Sequence, residues 1–245
     1  MSNVVIKFED VTKRYESHIH KSAGLKNYLL NIHKRKIVQE QSTILNHLNF
    51  HINKGESVGF VGRNGAGKST LLSLIAQVMR PNEGRITVNG RVSSLLELGA
   101  GFHPDLTGVE NIELYGVVLG FSRRQIINRT EAIIEYSELK EHIDVPIRYY
   151  SSGMLARLGF SVIAHLDPEI LLIDEVLAVG DHSFQNKCKS TMEEFRKSGK
   201  TLILVSHSAP DIENLCDRAI WIENGVIEMS GEPKEILDKY HERLG

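Results

Sequence analysis

Cysteine, proline and tryptophan are scarce in this chain: two, six and one among 245 residues. So few cysteines exclude a disulfide-stapled scaffold, and Cys188 and Cys216 lie too far apart in sequence for a metal knuckle. They read as reduced core thiols of a cytoplasmic protein. No run approaches the roughly 20 apolar residues of a spanning helix, the most apolar windows (114–121 and 159–166) being short. Residues 1–10 lack the charged-then-apolar layout of an export signal. Work at a membrane is therefore expected from the water side or through a partner. Neither sign of charge is in excess, with 29 Lys+Arg against 31 Asp+Glu, which argues against a protein that grips nucleic acid by charge. What is present, 41% apolar and 24% charged residues, is the mix of one ordinary globular domain across 1–245.

Along the chain, Val4–Phe8 reads as a strand, and a polar turn leads to Tyr15. Residues 16–42 change character, with Lys21, Lys26, Lys34, Arg35 and Lys36 set against two glutamates. Within them Leu25, Tyr28, Leu29 and Ile32 fit one helical face. Such a basic amphipathic helix either lies against a membrane partner or lipid headgroups, or packs on its own domain with its charges solvated. Ile44–Ile52 alternates, Ser57–Val61 reads as a buried strand, and a helix is expected over Leu71–Arg80, stopped by Pro81-Asn82-Glu83-Gly84. Asn89-Gly90 predicts a hairpin, as does Asn224-Gly225. The segment 107–165 is mostly helical. Ile170–Ile173 and Leu202–Val205 are apolar runs of the kind that fill parallel strands covered on both faces. Residues 231–245 read as a closing helix. Strands alternating with helices imply an α/β fold carrying a helical insertion.

Chemistry enters at Gly62-Arg63-Asn64-Gly65-Ala66-Gly67-Lys68-Ser69, which matches G-x-x-x-x-G-K-[ST] between an expected strand and an expected helix. The glycines let backbone N–H groups curl around an anionic phosphate, and the helix aims its positive N-terminus at it. Lys68 supplies a point charge to the β- and γ-phosphates, and Ser69 a hydroxyl to Mg²⁺. Contacts to the nucleoside triphosphate are expected from Gly62, Asn64, Gly65, Ala66, Gly67, Lys68, Ser69 and Thr70. Ile170–Ile173 ends in Asp174-Glu175. A buried strand can place Asp174 beside the metal and leave Glu175 to polarise the attacking water. Val205-Ser206-His207 ends the next run in the same style, putting an imidazole at the same edge, where it would reach the γ-phosphate. Tyr150-Ser151-Ser152-Gly153-Met154 opens a further helix. Ser151 or Ser152 is a good N-cap, and Gly153 permits close backbone approach. A second Gly-containing helix start, 21 residues before Asp174, makes sense if it caps ATP bound by another copy of the chain.

In their order and spacing these residues resemble the ATP-binding cassette (ABC) family across nearly the whole chain. The resemblance implies an ABC nucleotide-binding domain: a RecA-like P-loop core with a mostly parallel sheet, an N-terminal antiparallel β portion and a helical subdomain at about 107–165. Tyr-Ser-Ser-Gly-Met departs from the commonest Leu-Ser-Gly-Gly-Gln signature and looks like the cassettes of polysaccharide exporters. Leu95–Phe102, Leu106–Asn111 and Ala178–Asp181, the last followed by Phe184 and Lys187-Cys188, point the same way, to O-antigen and teichoic-acid exporters and a little less to capsule exporters. The family pattern places Tyr15 where an aromatic stacks on adenine. It implies a head-to-tail homodimer in which Ser151 and Gly153 contact the γ-phosphate held by the other copy, and it puts Asp181 in the loop that crosses the interface. Hydrolysis would drive a separate membrane permease carrying a lipid-linked polysaccharide, with the chain peripheral on the cytoplasmic face of the membrane.

Most cassettes place a glutamine before the helical subdomain, where this chain has Leu96-Glu97-Leu98-Gly99. Either Glu97 substitutes or the loop is mainly a lever against the permease, and the apolar, flexible Leu98–Phe102 favours the lever. Rival readings fare worse. Chromosome-maintenance cassettes insert a long coiled coil where Lys68 and Gly153 are only 85 residues apart, translation-factor types carry two cassettes, and the missing glutamine counts against an importer. The length leaves no room for a C-terminal carbohydrate-binding domain, so glycan selection is expected to lie mainly outside the chain.

Overall fold

The computed structural model describes residues 3–18, 39–95, 99, 101–174, 180–206 and 208–244. Two sheets organise them. A three-stranded antiparallel sheet, in the order β2-β1-β4, is built from β1 (Val4–His18), β2 (Gln39–Asn53) and β4 (Glu83–Val88). A six-stranded sheet runs β5-β6-β7-β3-β8-β9, from β3 (Ser57–Val61), β5 (Val92–Ser94), β6 (Ile170–Asp174), β7 (Thr201–Val205), β8 (Arg218–Glu223) and β9 (Val226–Gly231). Its pairings are parallel except the last, β8 with β9.

The continuous apolar runs are explained by burial on both faces of this second sheet. Val58, Phe60, Leu172, Ile203 and Val205 face one core, shared with Ile6, Phe8, Leu45 and Ile52 of the antiparallel sheet and with Leu71, Leu72 and Ile75. Val61, Leu171, Ile173, Leu202 and Leu204 face the other, against the helical segment. Leu71, Leu72 and Ile75 belong to α1 (Lys68–Ile75). Among the described residues the other α-helices are α2 (Gly108–Val118), α3 (Arg123–Ser137), α4 (Ser152–His165), α5 (His182–Lys197), α6 (Ala209–Leu215) and α7 (Pro233–Leu244). Capping boxes at Thr107/Glu110 and Ser122/Gln125 start α2 and α3. In α3, Ile126 and Ile133 are fully buried, whereas Ile127 points outward.

Four local expectations are corrected. The polar turn before Tyr15 is a β-bulge in a continuous strand: Asp10 has φ 54° and its N–H donates to Asn49 Oδ1 at 2.9 Å. The helix expected over Leu71–Arg80 begins at Lys68 and stops at Ile75, because it springs from the phosphate loop and Gln77 turns left-handed with φ 60°. Asn89-Gly90 makes no hairpin, since β4 pairs with β1 while β5 pairs with β6, so the dipeptide turns the chain from one sheet into the other. The basic segment has narrower bounds than 16–42, because β1 and β2 stay paired out to His18↔Gln39. The helix expected through Leu25–Ile32 lies outside the described residues. Asn224-Gly225 does join β8 to β9, both residues having positive φ.

Asn111 ties together the loop ahead of α2. Fully buried, it accepts from the His103 N–H at 2.7 Å and donates to the carbonyls of His103, Leu106 and Thr107 at 3.1, 3.0 and 2.8 Å. Asn111→Ala removes every one of these bonds and should lower unfolding free energy by about 2–3 kcal/mol in urea denaturation. Cys188 and Cys216 are buried, and burial pushes both thiols up to about 12. At pH 8.5 they should resist iodoacetamide until denaturant is added. The unfolded thiols ionise first, so their contribution to stability falls as pH rises from about 9 towards 12.

Candidate nucleotide site

The parallel register sets the site. Phe60 pairs with Val205, and Val205 with Asp174, so the carboxyl ends of β3, β7 and β6 form one edge. Open α/β sheets bind ligands beyond that edge. The loop leaving β3 runs from Gly62 to Gly67 into α1, whose N-cap is Gly67 at φ 103° with no side chain to bond the first N–H groups. Those donors are left to an anion.

Three glycines of the loop have separate reasons. A Cβ on Gly62 would lie 2.2 Å from the Ile222 carbonyl oxygen, and one on Gly67 would lie 2.5 Å from Leu45 Cδ2. A Cβ on Gly65, at φ 82°, would meet nothing within 4 Å among the described residues, which leaves its surface to a ligand. Lys68 is buried, and its Nζ donates to the carbonyls of Gly62 at 2.6 Å and Arg63 at 3.1 Å. The ammonium is thereby held within the curl of the loop.

Tyr15, Asn64, Gly65, Gly67, Lys68, Ser69, Thr70 and Asp174 line one cavity of about 390 Å³, with Ile44 and Val205 completing its wall. Its size suits a nucleotide, the loop donors suit the phosphates, and the Ser69 hydroxyl and Asp174 carboxylate are hard oxygen ligands of the kind Mg²⁺ takes. Tyr15 comes from the outer part of β1. Its ring is about two-fifths exposed, its hydroxyl donates to Met79 Sδ at 3.2 Å, and Lys13 Nζ lies 5.6 Å from its centroid. Ile44 and Met79, which no motif marks, come from the antiparallel sheet and the turn after α1, so only the packing of those elements identifies them.

Gly62 and Ala66 belong to the same loop but do not line the cavity, because their surfaces turn into the fold. Ser151, Ser152, Gly153 and Asp181 do not line it either. Ser151 caps α4, accepting from the Met154 N–H at 3.2 Å, and among the described residues a Cβ on Gly153 would meet only Ser151 Oγ, at 3.8 Å. Among the described residues that helix end is open to another body. Tyr150 donates its hydroxyl to the His142 carbonyl at 2.7 Å, a bond no leucine can make, and that hydroxyl lies 2.6 Å from where a Gly108 Cβ would sit. Asp181 caps α5, accepting from the Phe184 N–H at 3.0 Å. That bond, with the nearby Arg157 guanidinium, holds its carboxyl below the usual range. Glu175, His207, Glu97 and Ala178-Val179 lie outside the described residues.

If Tyr15 forms the base-stacking wall, Tyr15→Ala should weaken binding of a fluorescent ATP analogue by about tenfold while Tyr15→Phe keeps most of it.

The model of the family described as "ABC transporter" matches residues 45–178. The chain is 50% identical to the O-antigen export system ATP-binding protein RfbB of Klebsiella pneumoniae, over 98% of both chains. It is 40% identical to the teichoic acids export ATP-binding protein TagH of Bacillus anthracis, over 99% of this chain and 43% of that protein. Among solved structures it resembles the ATP-binding subunit of an ABC transporter (TM-score 0.74, 21% identical, covering 97% and 93% of the two chains). It also resembles a dimeric ATP-binding cassette in a post-hydrolysis state bound to ADP and Pi (TM-score 0.71, 22% identical, 93% and 98%). At those identities the structural likeness speaks for the fold. A nucleotide-sized cavity built on a P-loop, the family match and these relatives together establish that the chain belongs to the ABC transporter family, as an ATP-binding cassette ATPase.

Proposed function

We propose that the chain is the ATP-hydrolysing subunit of an exporter that moves a lipid-linked polysaccharide, of the O-antigen class, across the cytoplasmic membrane through a separate permease. The observation that carries this is the 50% identity to an O-antigen export ATP-binding protein along nearly the full length of both chains. Teichoic-acid export is the second reading; it rests on 40% identity to a protein of which this chain spans less than half. Among the described residues no helix is long and apolar enough to cross a membrane, which fits a subunit held at the cytoplasmic face by a partner.

In this reading Asn64, Gly65, Gly67, Lys68, Ser69 and Thr70 hold the phosphates of ATP, Gly62 and Ala66 shape the loop that presents them, and Tyr15 stacks on the base. Lys68 neutralises charge on the β- and γ-phosphates, and Ser69 and Asp174 would hold Mg²⁺, which would supply further charge neutralisation when bound. Glu175 polarises the attacking water and His207 contacts the γ-phosphate. Ser151, Ser152, Gly153 and Asp181 of a second copy close the site, so the triphosphate joins two rigid bodies and hydrolysis lets them part. Closure at the inner face drives the permease. The loop through Leu98–Phe102 serves as the lever, with Phe102 packed edge-on to Tyr115 at 5.0 Å.

Deleting the gene should strip the polysaccharide from the cell surface and leave its lipid-linked form inside, and wild type but not Lys68→Ala should restore it. Normal surface polysaccharide in the deletion strain would overturn the assignment. In the purified protein, Glu175→Gln should bind ATP without turnover and accumulate as a dimer on size-exclusion chromatography.

A further inference from the structure

Arg157 has none of the roles above, yet its surroundings are built around it. It lies one helical turn beyond Gly153 on α4, and its side chain is only 18% exposed. One arm of the guanidinium, Nη1, donates to Glu138 Oε2 at 3.1 Å, and the other, Nη2, to Asp181 Oδ2. Its Cζ stands 5.1 Å from the centre of the Phe184 ring. Gly180 leaves room for it: at φ 72° that residue is left-handed, and a Cβ there would press on Arg157 Nε at 3.1 Å.

Both carboxylates are themselves anchored. Glu138 is the left-handed C-cap of α3, and its second oxygen takes Lys187 Nζ at 3.2 Å. Lys187, from α5, also donates to the Tyr136 carbonyl at 2.8 Å and lies 4.2 Å from the centre of that ring. Asp181 uses its other oxygen to cap α5. The fork therefore ties together three pieces: the end of α3, the signature helix α4, and the loop entering α5. A guanidinium suits this, since its planar donors engage two carboxylates at fixed angles and a lysine ammonium cannot span both in the same way.

A staple needed only to attach the helical segment could sit anywhere along α4. This one joins the two elements that the proposed dimer presents to the opposite copy: the helix start carrying Ser151 and Gly153, and the loop carrying Asp181. We infer that Arg157 is a positioning residue for the composite ATP site, locking the signature helix to the Asp181 loop so that Ser151, Gly153 and Asp181 meet the partner's nucleotide as one rigid edge. The inference rests on the head-to-tail dimer proposed above. With the fork intact, the two elements do not have to be ordered against each other when the copies close, and part of the entropic cost of association is already met.

The test separates a chain's own nucleotide binding from dimer closure. In the Glu175→Gln background, fluorescent-ATP binding is titrated at protein concentrations too low for dimers, and ATP-dependent dimerisation is followed by analytical ultracentrifugation. Arg157→Met should leave nucleotide affinity within about twofold but raise the dimer dissociation constant about tenfold. Arg157→Lys should recover only part of the loss. Glu138→Gln, which keeps the pairing with Asp181, should fall between parent and Arg157→Met. Where Arg157→Met fails to fold, Arg157→Lys and Glu138→Gln carry the comparison. Dimerisation at the parental level in Arg157→Met, or nucleotide affinity lost in step with dimerisation in every folded variant, would overturn the positioning role. A parent that remains monomeric with ATP overturns the dimer reading itself, and this inference with it.

Discussion

Parallel pairing of β3 with β7, and of β7 with β6, is the constraint on which the rest of the molecule depends. It brings Phe60, Val205 and Asp174, which are up to 145 residues apart in sequence, to one edge of one sheet. The Gly62–Gly67 loop leaves from that edge, and Asp174 ends the strand two places away. Both faces of the sheet are covered, so one residue of slip in β7 would exchange the side chains of its two cores. The geometry of the site is therefore protected by the packing of side chains that never approach a ligand.

The two faces serve different ends. One packs α1 and the antiparallel sheet, which deliver Tyr15 and Ile44 to the wall of the cavity. The other carries the helical segment with the Ser151-capped helix, whose exposed start does not join the cavity of its own chain. The cavity thus belongs to one half and the Ser151-capped helix end to the other. In the proposed dimer, that division is the physical basis for a site shared between copies. The Arg157 fork links α4 to the loop entering α5, the two elements that the proposed dimer presents to a second copy.

Much of what lines the cavity was legible in the residues because local chemistry constrains them: the Gly62–Ser69 motif supplies half of its lining. Of the two serines that could cap α4, Ser151 does so. Tyr150 was seen only as a departure from a commoner leucine, and its hydroxyl turns out to bond the His142 carbonyl above the space left by Gly108. Arg157, Ile44 and Met79 carry no motif. Their importance comes from what is packed beside them, which a linear pattern does not encode. The errors share a cause as well: Asn89-Gly90 has the composition of a hairpin, but composition does not say which sheet the next strand will join.

Local sequence was sufficient for features that a few neighbouring residues decide: the Gly62–Ser69 motif between a strand and a helix, the serine cap of α4, the turn at Asn224-Gly225, and the two apolar strands. Those outcomes depend on φ preferences, capping hydrogen bonds and side-chain periodicity, all of which act within a few residues. Tertiary packing decided the register that aligns Asp174 with the Gly62–Gly67 loop, the separation of β4 from β5, and the pairing of Arg157 with Glu138 and Asp181. Each of these depends on which distant surfaces are buried together, and burial is a property of the assembled fold.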